Sequence, residues 1–163
     1  MRARGRQAEP SRQPITICTD GKTMPTRRAT AEWKGGMKGQ GSFRGQTGLA
    51  GQYNFSSRFE NGTGSNPEEL LAAADAACFS MALAFALERE GHPATSVETT
   101  GDCSVEKQGE GWKVTRIALA TRATVPGIDP QKFQSIAQAT KEGCPVSQAL
   151  KGNVQIDLDA QLV

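Results

Sequence analysis

Asn66-Pro67-Glu68-Glu69-Leu70-Leu71-Ala72-Ala73-Ala74-Asp75-Ala76-Ala77-Cys78-Phe79-Ser80-Met81-Ala82-Leu83-Ala84-Phe85-Ala86-Leu87-Glu88-Arg89-Glu90 carries the strongest structural signal in the chain. Asn66 is a good N-cap, Pro67 suits the first helical position, and Glu68 and Glu69 complement the positive end of the helix dipole. From Leu70 to Leu87 only Asp75 and Ser80 are strongly polar. A helix apolar on every side is a buried helix. This one is alanine-rich, carries a carboxylate and runs straight into Glu88, Arg89 and Glu90, so it is not expected to span a membrane. Gly91 and Pro93 stop it after about 25 residues, or about 37 Å.

Strands flank this helix. Before it, Ala29, Ala31 and Trp33 alternate with Thr30, Glu32 and Lys34, and a glycine-broken segment follows toward Phe43. Tyr53, Phe55 and Phe59 predict a further strand that ends in Glu60-Asn61-Gly62-Thr63-Gly64. After the helix, Val97, Thr99, Gly101, Cys103 and Val105 alternate with polar residues, which predicts one buried and one wet face. Residues 112–125 predict the next strand, and a change of parity after Val114 predicts a bulge near Thr115. Asp129-Pro130 caps a second helix that ends at Gly143, Cys144-Pro145 starts a short third one, and Val154 to Leu162 form a last strand. The fold class is α+β. One small sheet cannot cover every side of so apolar a helix, so a homodimer is expected.

The chain has 163 residues, 37% hydrophobic and 22% charged, the balance of one ordinary soluble domain. Its formal charge of +2 is unevenly placed. Residues 1–28 hold seven basic side chains against Glu9 and Asp20, which leaves twelve basic and fifteen acidic side chains in the rest. That mildly acidic body is no nucleic-acid footprint. Residues 1–23, rich in Arg, Gln, Pro and Ser, read as a disordered basic extension of a domain covering 24–163. They hold no apolar run of signal-peptide length, so a reducing cytoplasm is the expected setting. With no Cys-x-x-Cys pair and a single histidine, His92, neither a metal nor another cofactor is expected.

Four residues could carry chemistry. Cys78, deep in the apolar helix, reads either as a small buried hydrophobe or as a nucleophile, and the latter needs a nearby cation. Arg58, between Phe55 and Phe59, is either a surface residue or that cation. Glu68 is either a first-turn acid that favours the helix dipole or the partner that fixes the guanidinium at two points. Cys144 stands at a helix N-terminus, where backbone N–H groups favour a thiolate. Cys103 falls on the buried face of its strand and reads as structural, and Cys18 lies in the extension. His92 is fourteen residues beyond Cys78, about 20 Å along a helix, too far to be the base of a cysteine hydrolase.

The runs Tyr53-Asn54-Phe55-Ser56-Ser57-Arg58-Phe59-Glu60, Gly64-Ser65-Asn66-Pro67-Glu68-Glu69-Leu70 and Ala76-Ala77-Cys78-Phe79-Ser80-Met81-Ala82-Leu83 closely resemble the OsmC/Ohr family. Its members are osmotically inducible protein C and the organic hydroperoxide resistance proteins. Thr95-Ser96-Val97-Glu98-Thr99-Thr100, Val125-Pro126-Gly127-Ile128-Asp129 and Gly143-Cys144-Pro145-Val146-Ser147-Gln148 continue the match in order. The resemblance covers about residues 24–163 and favours the OsmC branch.

The resemblance implies an intertwined homodimer, with both subunits lining each site, that reduces organic hydroperoxides and protects against oxidative or osmotic stress. Cys78 matches the family's peroxidatic cysteine, Cys144 its resolving cysteine, Arg58 its activating arginine and Glu68 the glutamate that orients it. It further implies an external dithiol reductant, often a lipoylated protein. Phe55, Phe59, Phe79 and Met81 are the expected apolar lining. One departure stands out: Asp75 occupies a position where the OsmC branch often carries histidine, and a carboxylate one helical turn from a thiol opposes thiolate formation. Two other readings share the fold: a non-enzymatic protein holding an apolar ligand, and a redox sensor.

Overall fold

The computed structural model describes residues 25–163 and the backbone of a two-residue antiparallel pairing, β1 (Cys18–Thr19) with β2 (Lys22–Thr23). The expectation for residues 1–23 otherwise lies outside the described residues. An antiparallel meander follows: β3 (Ala29–Lys34), β4 (Gln40–Gly45) and β5 (Ala50–Asn54). Its principal contacts are internal, and every residue of β3 is exposed in the single chain. Among the described residues, the face of Ala29, Ala31 and Trp33 is therefore left exposed by the single chain, apart from the contact of the Trp33 and Tyr53 rings.

The strand expected through Phe55 and Phe59 is instead a helix, α1 (Phe55–Phe59). A reciprocal cap starts it. Asn54 Oδ1 accepts from the Ser57 backbone N–H at 2.9 Å, while Ser57 Oγ accepts from the Asn54 N–H at 3.0 Å. Each side chain satisfies a donor that the first turn would leave orphaned.

The long helix α2 (Pro67–Arg89) begins as the sequence predicts, with Asn66 Oδ1 accepting from the Glu69 N–H at 2.8 Å. After Gly91, whose φ of 81° suits glycine, come the antiparallel strands β6 (Ser96–Gln108) and β7 (Gly111–Thr124). Their register slips so that Thr115 has no opposite residue, which is the bulge. Helix α3 (Pro130–Gly143) and the short α4 (Pro145–Leu150) then cross over to β8 (Gln155–Leu162), which pairs parallel to β7. A parallel neighbour requires such a long crossover.

Helix α2 lies across β6 and against α3 and α4. Gly101 lets β6 approach closely, since a Cβ there would stand 2.8 Å from the Ala72 carbonyl oxygen. The core gathers Phe79, Leu83 and Leu87 of α2 with Ile117 and Leu119 of β7 and Phe133 and Ala137 of α3. Only one side of α2 is covered. Ala73, Ala77, Met81 and Phe85 form an exposed stripe four residues apart, with Met81 at 56% and Phe85 at 57% exposure. A single chain thus leaves one face of this apolar helix uncovered, which is the face the expected homodimer would have to bury.

Candidate active site

Helix α2 carries two chemically distinct clusters. At its middle, Cys78 flanks the exposed apolar stripe and Asp75 points inward with no exposed surface. The N-cap of α4 brings Cys144, also fully buried, to the same place. Cys144 and the Val146 backbone N–H lie near enough to the Cys78 thiol to shift its acidity. Cys144 Sγ donates to Asp75 Oδ1 at 3.8 Å, and Ser147 Oγ donates to the same oxygen at 2.8 Å. Asp75 Oδ2 is buried without a partner.

Burial pushes the Cys78 thiol above its ordinary value. The Val146 N–H opposes that shift, while Cys144 and the Asp75 charge reinforce it. No cation of its own chain stabilises a Cys78 thiolate among the described residues. The three described cysteines are free thiols.

The second cluster sits at the start of α2. Arg58, in the last turn of α1, donates from Nε to both carboxylate oxygens of Glu68, at 3.1 and 3.2 Å, and from Nη2 to Oε1 at 2.6 Å. The Glu68 side chain is 12% exposed and that of Arg58 38%. The guanidinium also lies 5.1 Å from the centre of the Phe59 ring, in a row of aromatic contacts from Phe55 through Phe59 to Trp112. Cys103 lines the open cavity beside this pair. Its thiol is pushed up by burial first and by the Glu68 charge second.

The structure therefore brings Cys78 to Cys144 and Arg58 to Glu68, but it keeps the two pairs apart within one chain. Ten residues separate Glu68 from Cys78, about 15 Å along the helix axis. Phe55, Phe59 and Met81 are exposed, as a lining requires, whereas Phe79 is fully buried in the core and cannot be one. Sequence reasoning missed Ser147 and Trp112. The spacing of three between Cys144 and Ser147 on a helix was a signal for the first. Only the β7 fold-back places the second. Among the described residues, no group of three or more His, Cys, Asp or Glu side chains is placed to hold a metal ion.

Residues 60–159 match the family model described as OsmC-like protein. The chain belongs to the OsmC-like family. This OsmC-like chain is 46% identical over 134 residues to the peroxiredoxin OsmC of Escherichia coli, covering 80% of itself and 94% of that protein. It is 35% identical over 102 residues to the organic hydroperoxide resistance protein OhrB of Bacillus subtilis, covering 61% and 72%. Among solved structures, an organic hydroperoxide resistance protein OsmC from Legionella pneumophila superposes with a TM-score of 0.65 at 26% identity, covering 86% of this chain and 99% of that one. The α+β architecture of the OsmC-like fold is thereby shared.

Proposed function

We propose that this OsmC-like protein is a thiol peroxidase that reduces organic hydroperoxides to alcohols, with Cys78 as the attacking sulfur and Cys144 as the resolving one. The observation that carries the reading is the packing of the α4 N-cap on α2, where Cys144 and Ser147 bond Asp75 one turn from Cys78 and so bring the two thiols close together. The names of the relatives from Escherichia coli and Bacillus subtilis support the same chemistry. The Cys78 thiolate attacks the O–O bond and an alcohol leaves, so Cys78 becomes a sulfenic acid. Cys144 condenses with it, water leaves, and a disulfide closes. An external dithiol, such as a lipoylated protein in a reducing cytoplasm, reopens that bond by exchange.

Activation requires a second copy of the chain. The uncovered stripe of α2 and the outward-facing sheet β3–β4–β5 support a homodimer, in which the Arg58–Glu68 pair of one subunit faces the Cys78–Cys144 pair of the other. The exposed rings of Phe55, Phe59 and Trp112 beside Arg58 then form the apolar lining that favours organic hydroperoxides. Incubation with one equivalent of cumene hydroperoxide, followed by peptide mass spectrometry, tests the assignment. A Cys78–Cys144 disulfide is expected, and its absence removes the two-cysteine mechanism. A ligand-holding role is favoured by one observation, the raised Cys78 thiol with Asp75 close by. It gains ground only if peroxide leaves both thiols reduced.

A further inference from the structure

The fully buried carboxyl of Asp75 is the most unusual feature of the site. One oxygen receives two donors, Cys144 Sγ–H and Ser147 Oγ–H, and the other has no partner. Leaving a polar atom unpaired in a dry core is costly, and such exceptions call for an explanation. Asp75 adds nothing to the activation of Cys78, since its charge disfavours that thiolate. Its contact is with the other sulfur. Ser147, itself only 5% exposed, lines a cavity of about 130 Å³ beside Lys141, Glu142 and Lys151.

We propose that Asp75 is the base that takes the proton from Cys144 during closure of the disulfide. The proposal rests on the two-cysteine peroxidase reading and assigns it a third catalytic residue. In the step, Cys144 Sγ–H gives its proton to Asp75 Oδ1, and the freed electron pair forms the S–S bond to Cys78. The S–O bond of the Cys78 sulfenic acid breaks, and the departing hydroxide leaves as water with the proton that Asp75 took from Cys144, which returns Asp75 to the carboxylate. The Cys78 sulfur is reduced from the sulfenic to the disulfide level and Cys144 is oxidised from the thiol, so no outside oxidant or reductant enters. Ser147 holds Oδ1 in line with the thiol.

The two steps can be separated by mixing reduced protein with one equivalent of cumene hydroperoxide. Loss of Cys78 thiol reports oxidation, dimedone trapping reports the sulfenic acid, and mass spectrometry reports the disulfide. Asp75→Asn keeps the shape but cannot accept the proton. Disulfide closure should slow by about 100-fold or more, the usual contribution of general base catalysis, with the sulfenic acid accumulating. Oxidation of Cys78 should be as fast as in the wild type or faster, because an opposing charge is gone. Closure that keeps its rate overturns the proposal, and so does a loss of both steps together, which marks a purely structural role. If Asp75→Asn does not fold, Asp75→His, which retains a proton acceptor, carries the test. It should close the disulfide at no less than about a third of the wild-type rate, and slow closure with normal oxidation overturns the proposal. If the wild type itself forms no Cys78–Cys144 bond, the peroxidase reading fails as well.

Discussion

Arg58 and Glu68 meet at two points, with Arg58 Nη2 2.6 Å from Glu68 Oε1 and Nε between both carboxylate oxygens. The fork geometry fixes the guanidinium plane and leaves its far edge facing the open cavity beside Trp112. Glu68→Gln keeps the shape and removes the charge that holds the arginine. Because Arg58 is partly in water, stability should fall by only about 1 kcal/mol or less. The catalytic cost should be larger: kcat/KM for cumene hydroperoxide should drop about 10-fold, equal to about 1.4 kcal/mol of lost transition-state stabilisation. Steady-state assays beside a thermal melt separate the two effects. An unchanged kcat/KM would remove Arg58 positioning from the mechanism.

The two cysteines should fail in different ways. Cys78→Ser should abolish turnover, while Cys144→Ser should consume about one peroxide per site and then stall. Without a resolving thiol, the Cys78 sulfenic acid is exposed to further oxidation to the sulfinic level. Mass spectrometry of Cys144→Ser at rising peroxide should show that adduct on Cys78. Sustained turnover by Cys78→Ser would end the assignment.

Phe79 follows Cys78 directly in sequence but belongs to the core, with no exposed surface. Phe79→Ala should therefore cost about 3–5 kcal/mol of stability, read from urea unfolding. Phe59→Ala, at a ring 39% exposed, should leave stability nearly unchanged and raise KM for bulky hydroperoxides. A reversal of these two outcomes would contradict the division between core and lining.

Much of this was legible because local signals were strong. Asn66-Pro67-Glu68 announced the start of α2, the parity change announced the bulge at Thr115, and Cys144-Pro145 announced the start of α4. Helix α1 was not legible, since its cap pairs Asn54 with Ser57 rather than with the more familiar Glu or Gln, and aromatic residues suggested a strand. The Asp75–Cys144–Ser147 contacts were not legible either. Their partners lie 69 and 72 residues apart, so only the packing of α4 on α2 brings them together. The apolar run of α2 predicts burial shared with a second subunit, and within one chain Phe79, Leu83 and Leu87 form its buried face. Composition could not say that Met81 and Phe85 would look outward.

Alkaline stability should carry the mark of Cys103. Its thiol is raised from the ordinary 9.0 by burial and then by Glu68, so folding favours the protonated form. That contribution is fully present below the unfolded value and is lost as pH rises through the folded one. The urea midpoint should hold up to about pH 9 and decline above it, and Cys103→Ser should flatten the decline. An equally steep decline in that variant would assign the alkaline loss to other groups.

The reactivity of Cys78 should depend on assembly. In the single chain burial raises its thiol, and the Val146 N–H is the one group that opposes this. A raised thiol means less thiolate at neutral pH, the reverse of what peroxide attack needs. If a second subunit supplies the cation, assembly and thiol acidity must move together. Phe85→Glu places a charge on the exposed stripe of α2, away from Cys78 by two helical turns, and should split the dimer. Sedimentation should give about twice the chain mass for the wild type and a single chain for the variant. Iodoacetamide labelling of Cys78 against pH should then show a wild-type midpoint below the ordinary 9.0 and a variant midpoint above it. Should the two midpoints coincide, or should a monomeric wild type turn over peroxide, the activating charge does not come from a partner subunit.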